Sequence, residues 1–112
     1  MADLSKVKII KLVPGSKYQR LFNKDSGTSG IKAGHVILKP GEEIGEHSTN
    51  EFEEALVILN GSGRVNIDKK DTAEIEKDMV LYIPPYTLHD VKNTGQGALE
   101  YVFITSYAEK KE

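Results

Sequence analysis

The stretch GEEIGEHSTNEFEEALVILNG, residues 41–61, decides how this chain is read. Its second half, Ala55 to Leu59, is an unbroken apolar run, as in a strand buried on both faces. Asn60-Gly61-Ser62-Gly63 follows as a turn signal, with positive φ expected at both glycines of a hairpin. The first half is polar and rich in donor groups: His47 lies within seven residues of Glu46, Glu51, Glu53 and Glu54. Imidazole and carboxylate are the usual nitrogen and oxygen donors for Zn, Fe, Mn and Ni. Glu54 opens the apolar strand, and six residues separate it from His47. If that gap turns between two antiparallel strands, both side chains can point the same way.

Outward from this stretch the chain reads as short strands with frequent punctuation. Val7 to Leu12 (VKIIKL) is apolar and β-branched and ends at Pro14-Gly15. Tyr18 to Phe22 is a weaker run, and Asn23 to Gly30 is a polar loop. Ile31 to Leu38 closes at Pro40-Gly41, a turn that only glycine accepts. Arg64 to Ile67, Thr72 to Ile75, Met79 to Ile83, Leu88 to Val91 and Ala98 to Thr105 complete the series. Turn signals recur about every 8 to 12 residues, the spacing of an all-β sandwich or barrel. Ser48 to Glu51 has the form of a capping box, but no apolar helix follows, so it reads as loop. Residues 1–112 are expected to form a single domain, with a frayed charged tail from Ala108 to Glu112.

Three histidines are present: His35, His47 and His89. His35 is one residue out of phase with Val36 and Leu38, so it should face away from the core and takes no ligand role. His89 follows Pro84-Pro85 at the start of its own strand. Two histidines and one carboxylate meeting inside a barrel would make a facial triad with open metal positions. Spacing alone does not bring them together.

The glycines and prolines add a resemblance. The commonest first motif of the cupin superfamily reads G-x5-H-x-H-x4-E-x6-G, and this chain has Gly41, His47, Thr49, Glu54 and Gly61 at those spacings. Thr49 stands where the second histidine belongs. The second motif reads G-x5-P-x-G-x2-H-x3-N. Here Pro84, His89 and Asn93 fit, while Asp78 and Tyr86 replace its glycines. The sequence therefore resembles a small single-domain cupin. The resemblance implies a double-stranded β-helix, or jelly-roll barrel, with a divalent transition metal (Fe, Mn, Ni or Zn) held by His47, Glu54 and His89. Glu53, adjacent to Glu54, should then face out, because neighbouring strand residues point to opposite faces. Asn93 should fix a turn through its side chain, and Tyr82, Tyr101 and Phe103 are candidates to line a pocket.

The resemblance implies a metal-dependent enzyme acting on a small polar metabolite, with dioxygenase, isomerase or lyase chemistry. The competing expectation is a non-catalytic small-molecule-binding domain with a weak or empty metal site, where Thr49 lines the pocket. Composition narrows the field. Fifteen Lys and Arg against seventeen Asp and Glu give a formal charge of −2, which supplies no positive field for nucleic acid. The absence of Cys removes disulfides and thiolate chemistry. No apolar run approaches membrane-spanning length, and Met1 to Lys6 lacks a signal-peptide apolar stretch, so a cytoplasmic protein is expected. Ala55 to Leu59 and Met79 to Ile83 are apolar on both strand faces. Their outer faces should pack against something, and a second copy in a homodimer is the simplest candidate.

Overall fold

The computed structural model describes residues 4–109. The opening residues 1–3 and the end of the charged tail, 110–112, lie outside that range. The described residues form nine strands: β1 (Tyr18–Phe22), β2 (Lys32–Leu38), β3 (His47–Ser48), β4 (Phe52–Asn60), β5 (Ser62–Ile67), β6 (Asp71–Glu76), β7 (Val80–Ile83), β8 (Leu88–Asn93) and β9 (Leu99–Tyr107). They make two antiparallel sheets, ordered β1-β2-β9-β4-β7 and β3-β8-β5-β6. Neighbours within a sheet are mostly distant in sequence, the signature of a jelly roll. No helix among the described residues is long and apolar enough to cross a membrane.

Register determines which residues meet between the sheets. In β4, Glu54, Leu56 and Ile58 are buried and alternate with half-buried Glu53, Ala55 and Val57. Across the five-stranded sheet, inward-facing partners line up in rows: Val36, Tyr101 and Ile58 in one, Gly34, Phe103 and Leu56 in the next, and Lys32, Thr105 and Glu54 in the third. Val65, Ile75 and Val91 of the opposite sheet close the core against Val36, Leu38, Leu56, Ile58 and Leu99. The apolar rows fill the middle of the sandwich, and the Glu54 row lies at one end. At the other end Asn93 is fully buried. Its amide nitrogen donates to the carbonyls of Leu38 and Gly97, both at 2.8 Å, and its Oδ1 accepts from Gly95 N–H at 2.9 Å. This is the turn-fixing role expected from sequence.

Three expectations need correction. Val7 to Leu12 forms no strand. Strand propensity needs a backbone neighbour to pair with, and this segment lies where the Gln19 side chain takes up its polar groups. Gln19 accepts from Val13 N–H and donates to the Lys11 carbonyl, both at 3.0 Å. The link at Gly61 is not a hairpin: β4 and β5 belong to different sheets, and the chain crosses between them. Gly61 has the expected positive φ (84°), but Gly63 does not. Gly63 is needed for close packing instead, since a Cβ there would lie 2.5 Å from the Lys92 carbonyl oxygen. Ser48 belongs to a two-residue strand rather than to loop, paired with Leu88 as His47 pairs with His89. The outer face of β7 is left open by the described residues: Val80 is 69% and Tyr82 58% exposed.

His35 faces away from the core, as expected, yet it is buried. It sits between Gln19 Oε1 at 3.0 Å and the Glu100 carboxylate at 2.6 Å on the outer side of the five-stranded sheet. The Gln19 amide is oriented by its two backbone partners in the N-terminal segment, so Nδ1 of His35 is the donor in the first of these bonds.

Candidate metal centre

His47, Glu54 and His89 come from three strands, and sheet pairing brings them together. His47 and His89 are direct cross-strand partners, with ring centroids 4.2 Å apart in an edge-on arrangement. Glu54 projects from the facing sheet. One donor atom from each residue lies within 4.8 Å of the others. Ligands around a metal at about 2.1 Å stand up to about 4.2 Å apart, so small side-chain movements close the set.

Each ring has its orientation fixed. His47 Nδ1 donates to the Gly45 carbonyl at 2.8 Å, and His89 Nδ1 donates to the Thr87 carbonyl at 3.1 Å. Both leave Nε2 as the free nitrogen, the state in which imidazole binds a metal. Asp90 supports the first ring from behind, because its Oδ1 accepts from Gly45 N–H at 2.9 Å. His89 is 1% exposed, and its Nε2 is a buried nitrogen with no hydrogen-bond partner. Glu54 Oε1 lies 3.2 Å away, an ion-pair contact without an aligned hydrogen bond. Native proteins rarely leave such an atom without a hydrogen bond. A cation between Nε2 and the carboxylate would satisfy both, so this donor set fits a divalent metal. Burial works to lower the His89 pKa, but the Glu54 carboxylate and the Thr87 carbonyl outweigh it and the net direction is upward.

Thr49 explains the departure from the motif. Its hydroxyl donates to the Pro84 carbonyl at 2.7 Å and accepts from Thr87 N–H at 3.1 Å. It therefore ties the loop after β3 to the Pro84–Thr87 turn that leads into His89. Thr49 borders the cavity, but its oxygen is already engaged. Glu53 faces outward, as expected, and accepts from the Tyr82 hydroxyl at 2.9 Å.

The three donors open into a cavity of about 460 Å³. Tyr101 and Phe103 line it, whereas Tyr82 lies on the outer sheet face and does not. Burial, with Glu54 and Asp90 nearby, pushes the Tyr101 pKa far up, so this residue stays a neutral phenol. Sequence reasoning missed Lys32, Tyr18 and Phe52 as lining residues. Lys32 had a usable signal: it is in period-two phase with Gly34, Val36 and Leu38.

The family model described as "Cupin domain" matches residues 34–105. The chain is 30% identical over 79 residues to the tetracenomycin polyketide synthase protein TcmJ of Streptomyces glaucescens, covering 70% of this chain and 52% of that protein. It is similar at 34% identity over 79 residues to polyketide synthase CurC of Streptomyces cyaneus, covering 70% and 50% respectively. The chain thus spans about half the length of these curated relatives. An RmlC-like cupin family protein with a double-stranded beta-helix fold, from Methanocaldococcus jannaschii, superimposes with a TM-score of 0.77. That match covers 90% of this chain and 91% of the other, at 18% identity. Together with two facing antiparallel sheets that enclose a His-Glu-His group, the family match shows that the chain belongs to the cupin domain family.

Proposed function

We propose that this protein is a metal-dependent enzyme acting on a small polar metabolite, with His47, Glu54 and His89 as the metal ligands. The observation that carries the reading is the convergence of one donor atom each from His47, Glu54 and His89 to within 4.8 Å at the wall of an open cavity. The polyketide synthase names of two relatives lend support to an enzymatic role. Three protein donors leave coordination positions open, which suits Zn, Fe, Mn or Ni in a catalytic setting. A metal bound there would act as a Lewis acid on substrate oxygens or lower the pKa of a bound water. The chain's own residues do the positioning. The carbonyls of Gly45 and Thr87 fix both imidazole tautomers, Glu54 supplies the single negative charge, and the Tyr101 phenol offers a hydrogen-bond donor from the cavity wall. Metal analysis of the purified protein beside its His47→Ala variant tests the reading. Near-stoichiometric divalent metal that disappears in the variant is expected. Equal trace metal in both proteins would overturn it and leave the metal-free binding domain.

We infer also that the protein is a homodimer. Val80 and Tyr82 are exposed on the outer sheet face next to half-buried Ala55 and Val57, and a contiguous apolar face of this kind is typical of an interface. Light scattering at micromolar concentration should return twice the 12.4 kDa chain mass, and a single-chain mass would exclude the dimer.

A further inference from the structure

We propose that Lys32 forms an anion subsite beside the metal ligands and that the substrate is a small carboxylate with an apolar or aromatic body. The proposal rests on the reading of His47, Glu54 and His89 as a metal site and names the ligand that site would take.

The argument begins with register. Lys32 pairs with Thr105, and Thr105 pairs with Glu54, so the three residues form one row across β2, β9 and β4 on the inner sheet face. Adjacent partners in such a row have Cβ atoms about 5 Å apart. Lys32 therefore stands two strands from the metal-facing carboxylate, with a side chain long enough to reach toward it. Lys32 is exposed at the start of β2, and its ammonium makes no ion pair or hydrogen bond with any described residue. Among the described residues lining the cavity, Lys32 is the only Lys or Arg, and Glu54 is the only Asp or Glu. A divalent ion on Glu54 and two neutral imidazoles leaves one net positive charge. Lys32 adds a second. A cavity with that balance and open coordination positions favours an anion.

The next row inward sets the rest of the ligand. It contains Gly34, Phe103 and Leu56, and Phe103 stacks on Tyr18 with ring centroids 6.1 Å apart. Gly34 creates the room for this stack. A Cβ at position 34 would collide with the Phe103 ring and lie 2.9 Å from the Tyr18 ring. The polar row therefore sits directly above an aromatic wall, which matches an amphipathic acid better than a sugar. Lys32 presents a single compact charge, and the aromatic wall beneath it suits a carboxylate carried on an apolar body.

The test uses benzoate and its neutral analogue benzamide as probes, with calorimetry on Zn(II)-loaded and metal-free protein. Lys32→Met should weaken benzoate binding by about tenfold or more, as for loss of one partner of a charge pair. The same variant should leave Zn(II) affinity within about threefold, a change under about 1 kcal/mol. Lys32→Arg should recover most of the benzoate affinity. Benzamide should bind more weakly than benzoate and respond little to the substitution. Equal benzoate affinity in the wild type and Lys32→Met, benzamide binding as tightly as benzoate, or no benzoate binding at millimolar concentration would each overturn the proposal. Failure of Zn(II) to bind the wild type would remove the metal reading instead, and Lys32-dependent benzoate binding to metal-free protein would still uphold the subsite.

Discussion

Glu54→Gln should abolish most of the stabilisation that a divalent metal confers on this protein. Stabilisation by a ligand follows RT ln(1 + [L]/Kd), about 4.1 kcal/mol when the metal is present at 1,000 times its Kd. For a chain of this length, that corresponds to a rise in melting temperature of roughly 15 °C. Glu54 is the one carboxylate in the donor set and, among the described residues, the only Asp or Glu lining the cavity. Loss of groups that merely orient ligands weakens metal sites by about 10–100-fold, so removing a ligand's charge should cost at least about 100-fold. The metal-induced stabilisation then falls to about 1.4 kcal/mol, a rise of roughly 5 °C under the same conditions. Glutamine keeps the size of the side chain and can donate to His89 Nε2, so the metal-free protein should remain folded. Thermal melts with and without Zn(II) or Mn(II) read both effects. An unchanged metal-induced rise in Glu54→Gln would show that Glu54 is not a ligand.

The second large effect lies at the far end of the sandwich. Asn93→Ala should lower stability by roughly 2–4 kcal/mol, because the buried Leu38 carbonyl, the Gly97 carbonyl and Gly95 N–H all lose their partner. At about 4 °C per kcal/mol, the melting temperature should fall by roughly 8–16 °C. Asn93 lies four residues along β8 from His89, a separation of about 13 Å, so metal affinity should hardly change. Urea unfolding gives the stability directly, and a loss below about 1 kcal/mol would mean that the three bonds matter little.

Much of this was legible in the sequence, for reasons that differ by residue. Glu54 was assigned an inward direction because strand alternation admits only one of two adjacent residues to the core, and the motif spacing chose between them. Asn93 was legible as a turn-fixer because an amide can bond its own local backbone. Val7 to Leu12 misled because its apolar, β-branched composition says nothing about whether a partner strand is available. Gly63 misled because a glycine within a turn signal reads as conformational need, whereas here the need is for contact distance. A lysine at the start of a strand reads as solvated, and Lys32 is indeed exposed; only the cross-strand register shows that it shares a row with Glu54. His35 lies on the outer sheet face, apart from the His47, Glu54 and His89 group. Its burial under Gln19 and Glu100 was not legible, since both partners come from other strands.

Thr49 bears on any attempt to redesign this centre. Writing a third imidazole into position 49 would add a donor but remove the hydroxyl clasp between Pro84 and Thr87, and that clasp steadies the approach to His89. A fourth ligand would therefore arrive with a loosened third one. Valence and loop rigidity are coupled at a single side chain, so a tighter centre would need the Pro84–Thr87 turn to be re-engineered alongside it.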